Sequence, residues 1–186
     1  MEPNSGLLEA GADLRQARVV CAVGCLAAIS FVLTNVRVAM PGAPYLLYDP
    51  ADVPALVAAF TMGPAAGFMV VLLRNLLHGL LVAPELVGHL MNVLASGSFV
   101  WVSGLLYIRF HTRTGAIFSL GAGTCAQSMV MVAANAAVLP LYLGLTSKAL
   151  ASTLAFTILP FNLIKGAANS VLVYLLYKRV SGYLPR

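Results

Sequence analysis

Charged residues are scarce in this sequence, and their scarcity decides its class. Only 9% of the 186 residues are charged and 60% are hydrophobic, with a mean hydropathy of +0.91. A soluble domain of this length could not bury so much apolar surface. The composition therefore predicts an all-α membrane protein, and the length allows one domain of six transmembrane helices.

Other absences exclude classes of function. Cys21, Cys25 and Cys125 form no C-x-x-C pair, so we expect neither a zinc site nor a disulfide framework. The chain has no G-x-x-x-x-G-K-S/T segment and is not expected to hydrolyse ATP by itself. Its carboxylates and histidines lack the spacing of an acid–base pair or a catalytic metal site. We therefore expect no enzyme activity, no metal and no cofactor, and the scattered basic residues do not predict nucleic-acid binding.

Hydrophobic runs and proline or glycine breaks divide the chain. Residues 1–17 are polar and are interpreted as a cytoplasmic tail, which precedes a transmembrane domain at 18–186. The predicted spans are 18–38, a short helix of about eleven residues from Asp52, 64–82, 86–108, 114–139 and 154–176. Residues 40–50, with three prolines and a glycine, are predicted to form a loop, as are residues 144–152.

Basic residues near the helix ends predict the orientation of the domain. Six spans place both termini on one side of the membrane, together with Arg15, Arg18, Arg109, Arg113, Lys178, Arg179 and Arg186. Only Arg37 and Lys148 fall on the other side. Because basic residues concentrate on the cytoplasmic side of membrane proteins, both termini are expected there and the 40–50 loop is expected outside.

Two cations fall deep inside predicted spans. Lys165 lies near the middle of the last span, where a lysine costs roughly 2.5 to 3.5 kcal/mol, and Asn162 shares its helix face. No acidic residue is expected near it within the membrane, so we expect Lys165 and Asn162 to face a cavity and bind a ligand. The alternatives are that Lys165 snorkels to an interface or neutralises a buried carboxylate. Arg74 is the second deep cation, one turn from His78, and both are left without an assigned role.

The 40–50 loop is unusually apolar and aromatic. It carries Tyr45, Leu46, Leu47 and Tyr48 in succession. A loop of this composition has apolar surface to cover, which favours a lid over a ligand. The alternative is a loop folded back on its own helices.

The first span carries a stripe of small residues. Ala17, Cys21, Gly24 and Ala28 recur at i, i+4, i+7 and i+11, so they share one helix face. Small residues let another helix approach closely. The stripe is equally compatible with a partner surface and with an internal packing face.

Five short motifs follow one another along the chain. They are YDPADVPAL at 48–56, GPAAG at 63–67, RNLLH at 74–78, NVLASGSF at 92–99 and PFNLIKG at 160–166. In this order they cover nearly the whole chain after the tail. Together they resemble the riboflavin-specific substrate-capture subunit, or S component, of energy-coupling factor (ECF) transporters.

The resemblance implies a six-helix S-component fold in a prokaryotic plasma membrane, with a riboflavin pocket near the outer face beneath the loop after helix one. It also implies inward delivery when the subunit docks on a membrane coupling protein driven by two ATPase subunits. The implied riboflavin-binding residues are Tyr45, Leu46, Leu47, Tyr48, Asn92, Asn135, Phe161, Asn162 and Lys165. The family's docking motif, Ala-x-x-x-Ala in helix one, corresponds here to Cys21 and Cys25 or to Gly24 and Ala28.

The chemistry of these residues agrees with a flavin ligand. The aromatic members can contact a flat apolar ring system, and the amides and the lysine can hydrogen-bond its carbonyl edge. A cationic vitamin would need carboxylates or an aromatic cage, and neither is predicted. The anionic vitamins folate and pantothenate are compatible with Lys165 and stay open, as does FMN. Another small-molecule carrier, an enzyme and a scaffold are the remaining alternatives.

Overall fold

The computed structural model describes residues 5–40, 43–143 and 146–180, most of which are helical. The helices are α1 (Ser5–Thr34), α2 (Asp52–Met62), α3 (Pro64–Leu81), α4 (Leu86–Arg109), α5 (Arg113–Leu143), α6 (Ser147–Thr153) and α7 (Leu159–Val180). Five helical stretches in this part of the chain are long and apolar enough to cross a membrane: Gln16–Thr34, α3, α4, Arg113–Leu141 and Ser147–Leu176. The sixth apolar helix, α2, has 11 residues and is about 16 Å long, roughly half the thickness of a bilayer core.

The short helix α2 lies at the centre of the bundle. It packs against α1, α3, α4 and α7, and eight of its eleven residues are buried. The helix ends at Gly63, whose φ of 99° lies in the left-handed region that favours glycine, and Pro64 begins α3. A Cβ on Gly67 would lie 2.6 Å from the carbonyl oxygen of Ala55, so glycine lets α3 approach α2 closely. The predicted break between these two helices is confirmed.

Helix α1 differs from the prediction at both ends. It begins at Ser5 rather than Arg18, because residues 5–17 are mostly good helix formers and include no proline. The predicted tail is therefore helical over its described residues, while residues 1–4 lie outside them. The helix ends at Thr34, where Nε of Arg37 donates to the Thr34 carbonyl at 2.8 Å and satisfies one of the last carbonyls of the helix.

The predicted loop at 40–50 is largely a β-hairpin. Strands β1 (Val38–Met40) and β2 (Ala43–Tyr48) pair antiparallel, with Val38 opposite Tyr48. The loop prediction gave most weight to the prolines, but Pro44 is tolerated because a two-stranded ribbon has free edges that need no N–H donor. Residues 41 and 42 lie outside the described part of the chain.

Helix α6 continues into α7 through a π-helix, Leu154–Ile158. The loop predicted at 144–152 is therefore wrong from Ser147 onward, while residues 144 and 145 lie outside the described residues. Pro160 has no N–H to donate into the preceding turn, which favours a local departure from α-helical bonding. The N–H of Leu159 bonds to the Leu154 carbonyl, five residues back.

Candidate functional site

A cavity of about 500 Å³ lies where α1 and α3 end and where α4 and α7 begin, beside the hairpin. This volume falls within the usual range for small-molecule sites. Its large apolar lining residues are Leu46, Leu47, Met91, Met131 and Phe161. The rest of the wall consists of small residues and of polar or charged ones, which come from α1, the segments on either side of the hairpin, α3, α4, the turn between them, and α7.

Lys165 lines this cavity and also forms an ion pair. Its ammonium lies 3.1 Å from Oδ2 of Asp49, and both side chains are at most 7% exposed. The expectation that no acid would lie near Lys165 is therefore wrong, and the alternative of a neutralised carboxylate holds. The sequence places Asp49 in a turn, but the hairpin folds onto the bundle and brings it to a residue 116 positions away. An ammonium has three N–H donors, so two remain after Asp49 has accepted one.

Arg74 is the centre of a second buried cluster. Its Nη2 lies 2.7 Å from Oδ1 of Asp52 and also donates to Oδ1 of Asn92 at 3.0 Å and to Oγ of Ser96 at 2.6 Å. Its Nη1 lies 3.4 Å from Oγ of Ser30. Arg74 and Asp52 are almost fully buried, so neither charge could lose its partner without a large cost in stability.

Asn169 connects the end of the hairpin to both acids. Its Nδ2 donates to Oδ2 of Asp52 at 3.1 Å and to the Asp49 carbonyl at 3.4 Å, and its Oδ1 accepts the Tyr48 hydroxyl at 3.3 Å. Burial, and then the charge of Asp49, raise the pKa of Tyr48 above its ordinary value, so the hydroxyl keeps the proton that it donates. The sequence interpretation missed Asn169, although it follows Lys165 by four residues and therefore shares its helix face.

Asn162 lies on the cavity wall with its amide held on two sides. Its Nδ2 donates to the Ile158 carbonyl at 2.9 Å, and its Oδ1 accepts Nε2 of Gln127 at 3.4 Å. Ile158 is the last residue of the π-helix, so the irregular turn supplies one of the two contacts that orient this amide. One N–H of Asn162 remains for an acceptor in the cavity.

The rim of the cavity carries polar side chains that were not among the predicted ligand-binding residues. Nη2 of Arg37 donates to Nε2 of His78, whose ring lies 5.2 Å from the ring of His89. Nε2 of His89 donates to the Ala83 carbonyl at 2.8 Å. Glu85 lines the same rim and is exposed. The rim can therefore offer both donors and acceptors to a ligand.

Most of the residues that were expected to bind a ligand meet at this cavity. Six of the nine line it: Leu46, Leu47, Asn92, Phe161, Asn162 and Lys165. Tyr48 directs its hydroxyl to Asn169, and Asn135 donates to the Met131 carbonyl of its own helix. The side chain of Tyr45 lies outside the described part of the chain. Binding by these nine residues stays a prediction.

The small-residue stripe of α1 is open. Cys21, Gly24, Cys25 and Ala28 are all exposed, and a Cβ on Gly24 would meet no atom within 4 Å. The alternative of an internal packing face is therefore wrong within the described residues. Docking of another helix on this stripe stays a prediction.

Known proteins resemble this chain over most of its length. A family model described as the substrate-specific component of ECF transporters matches residues 18–177. The riboflavin transporter RibU of Staphylococcus aureus is 35% identical over 181 residues, which cover 94% of this chain and 96% of that protein. The riboflavin transporter FmnP of Bacillus subtilis is 32% identical over 173 residues, which cover 87% of this chain and 91% of that protein.

Solved structures agree with the family match. An S component of a bacterial ECF transporter superposes with a TM-score of 0.80 at 36% identity, over 92% of this chain and 99% of that one. ThiT from Listeria monocytogenes superposes with a TM-score of 0.58 at 17% identity, over 88% of this chain and 97% of that one, which shows a shared fold alone. This chain belongs to the substrate-specific components of ECF transporters.

Proposed function

We propose that this chain binds riboflavin with high affinity in the cavity beside the hairpin and is the riboflavin-capture subunit of an ECF-type vitamin uptake transporter. Two relatives that are 35% and 32% identical bear the name of riboflavin transporter, which supports riboflavin as the ligand. The observation that carries the proposal is an apolar wall formed by Leu46, Leu47 and Phe161, together with the N–H donors of Asn162 and Lys165.

A flavin matches both parts of this wall. Its ring system is flat and apolar, and burial against leucine and phenylalanine stabilises such a ring. Its pyrimidine edge carries carbonyl oxygens, which accept from the free N–H of Asn162 and from the Lys165 ammonium. The ribityl hydroxyls can exchange hydrogen bonds with the polar rim around His78 and His89.

The proposed orientation places both termini in the cytoplasm of a prokaryotic cell, so that the cavity opens to the outside. Arg109 and Arg113, at the end of the bundle opposite the cavity, are exposed, which agrees with a cytoplasmic location. The hairpin then closes over bound riboflavin. The loaded subunit docks through Gly24 and Ala28 on a membrane coupling protein, and two ATPase subunits drive release inward.

Riboflavin titration of the detergent-purified chain tests this proposal. Riboflavin fluorescence should be quenched at one ligand per chain. Asn162→Leu removes one hydrogen-bond donor and should weaken binding roughly threefold to tenfold. The control Gln16→Leu removes an exposed amide at the far end of α1 and should bind like the parent. Failure of the parent to quench, or equal affinity in all three proteins, contradicts the proposal.

A further inference from the structure

We infer that this cavity selects an uncharged ligand against anionic ones, and that Asp49 determines this selectivity. The inference rests on the proposed function, because it assigns a charge class to the ligand of the same site. Lys165 alone would be compatible with an anionic vitamin. The carboxylates around the cavity lead to the opposite conclusion.

All the acidic residues after the N-terminal segment lie at or beside this cavity. The sequence contains six, of which Glu2, Glu9 and Asp13 precede the first predicted span. The other three are Asp49 and Glu85, which line the cavity, and Asp52, which pairs with a lining arginine. From residue 86 to the C terminus, the sequence contains seven basic residues and no acidic one. Every acid after residue 13 therefore lines the cavity or pairs with one of its cations.

Cations and carboxylates balance at the cavity. The lining cations are Arg37, Arg74 and Lys165, and the acids are Asp49, Asp52 and Glu85. Two of the cations are in direct contact with their acids, at 2.7 Å and 3.1 Å, and are nearly inaccessible to solvent. Since water screens charges poorly at such sites, each acid cancels the attraction that its cation would exert on an anion.

An anionic ligand would have to compete with Asp49 for Lys165. If the anion displaced Asp49, the Asp49 carboxylate would stay buried without a counter-charge, which costs free energy. Asp49 cannot readily move away, because its Oδ1 accepts the backbone N–H of Ala51 at 3.1 Å at the entry to α2. A competing anion would therefore remain close to a negative charge that the backbone holds in place.

An uncharged ligand needs no such displacement. A carbonyl oxygen can accept one of the two N–H groups of Lys165 that Asp49 leaves free. The ion pair then stays intact, and the ligand gains a charge-assisted hydrogen bond. Asp49 is thus a positioning residue that acts through Lys165.

Riboflavin and riboflavin 5′-phosphate provide the test, because they differ by an anionic group and share the fluorescence signal. The parent should bind riboflavin more tightly, and the ratio of the phosphate Kd to the riboflavin Kd measures the selectivity. Asp49→Asn keeps the side chain's shape and frees the charge of Lys165. The phosphate at the ribityl end is then attracted across the cavity by a cation that no carboxylate offsets, so this ratio should fall about threefold to tenfold. The double variant Asp49→Asn/Lys165→Met removes both charges and should return the ratio toward the parent value.

Lys148→Gln is the control, because it removes one exposed charge of α6 and should leave the ratio unchanged. An unchanged ratio in Asp49→Asn overturns the inference, as does a parent that binds both ligands equally well. If Asp49→Asn does not fold, Lys165→Met leaves the charge of Asp49 without its cation and should raise the ratio severalfold, because the unpaired carboxylate repels the phosphate. No change in that variant also overturns it. A parent that binds neither flavin instead contradicts the proposed function, and the inference falls with it.

Discussion

The two ends of the helix bundle hold their charges in opposite ways. At the cavity, Arg74 and Lys165 each contact a carboxylate and are nearly buried. At the other end, Arg109 and Arg113 are exposed, and no carboxylate of the described residues pairs with them. The paired cations therefore stabilise the fold and belong to the proposed binding site, whereas the exposed cations of the other end agree with the predicted orientation. The presence of a partner, more than the number of charges, separates the two roles.

Removing the acid of the deepest pair should have the largest effect on stability. Asp52→Asn leaves the Arg74 guanidinium buried without a counter-charge, and a guanidinium does not lose its proton. We expect the free energy of unfolding to fall by about 3 to 5 kcal/mol, seen as a lower melting temperature of the ligand-free protein. Arg109→Gln at the opposite end should change it by no more than about 0.5 kcal/mol. Similar melting temperatures in the two variants would remove the contrast between the ends.

The open face of α1 sharpens the comparison, because it lies outside both charged regions. Gly24→Leu should reduce riboflavin uptake by cells with the complete transporter to background, since a large side chain blocks the approach of a partner helix. Binding by the purified subunit should stay at the parent level. Gly121→Leu is a matched control, because Gly121 is also exposed on a long helix with no atom near its missing Cβ. Normal uptake in Gly24→Leu rejects the docking surface.

A smaller effect is expected at the hairpin, which is the predicted lid and whose Tyr48 lies beside the buried ion pairs. Tyr48→Ala should speed riboflavin dissociation several-fold and change association less, because a lid mainly controls escape. Tyr48→Phe removes only the hydroxyl that donates to Asn169. Its riboflavin dissociation rate should lie between those of Tyr48→Ala and the parent. Stopped-flow fluorescence measures both rates. Dissociation from Tyr48→Ala at the parent rate would count against a lid.

Local signals in the sequence predicted the helices well. The start of α2 at Asp52, the break at Gly63 and the bounds of α3 agree with the structure to within a residue, because glycine and proline act on neighbouring residues. The shared face of Asn162 and Lys165 followed from helical periodicity alone. The same face includes Asn169, which could have been found by extending the pattern by one turn.

The partners of the deep cations could not be predicted in the same way. Asp49 and Lys165 are 116 positions apart, and no local pattern indicates that the hairpin brings them together. The helical start of α1 was missed because the polarity of residues 5–17 outweighed their helix propensity in the prediction. The hairpin was missed because the prolines of residues 40–50 outweighed the propensity of this segment to form strands. The ion pairs in turn explain how the bundle can bury two cations, Arg74 and Lys165.

Lys165 allows the most direct test of the ligand site, by riboflavin affinity and ligand-free melting temperature measured on the same samples. Lys165→Met removes a charge-assisted donor and leaves Asp49 unpaired, so affinity should fall roughly tenfold to 150-fold and the melting temperature should also fall. Asp49→Asn/Lys165→Met should regain the melting temperature, because no charge is left unpaired, while the affinity stays low. Parent-like riboflavin affinity in the double variant would contradict a role for Lys165 in binding the ligand.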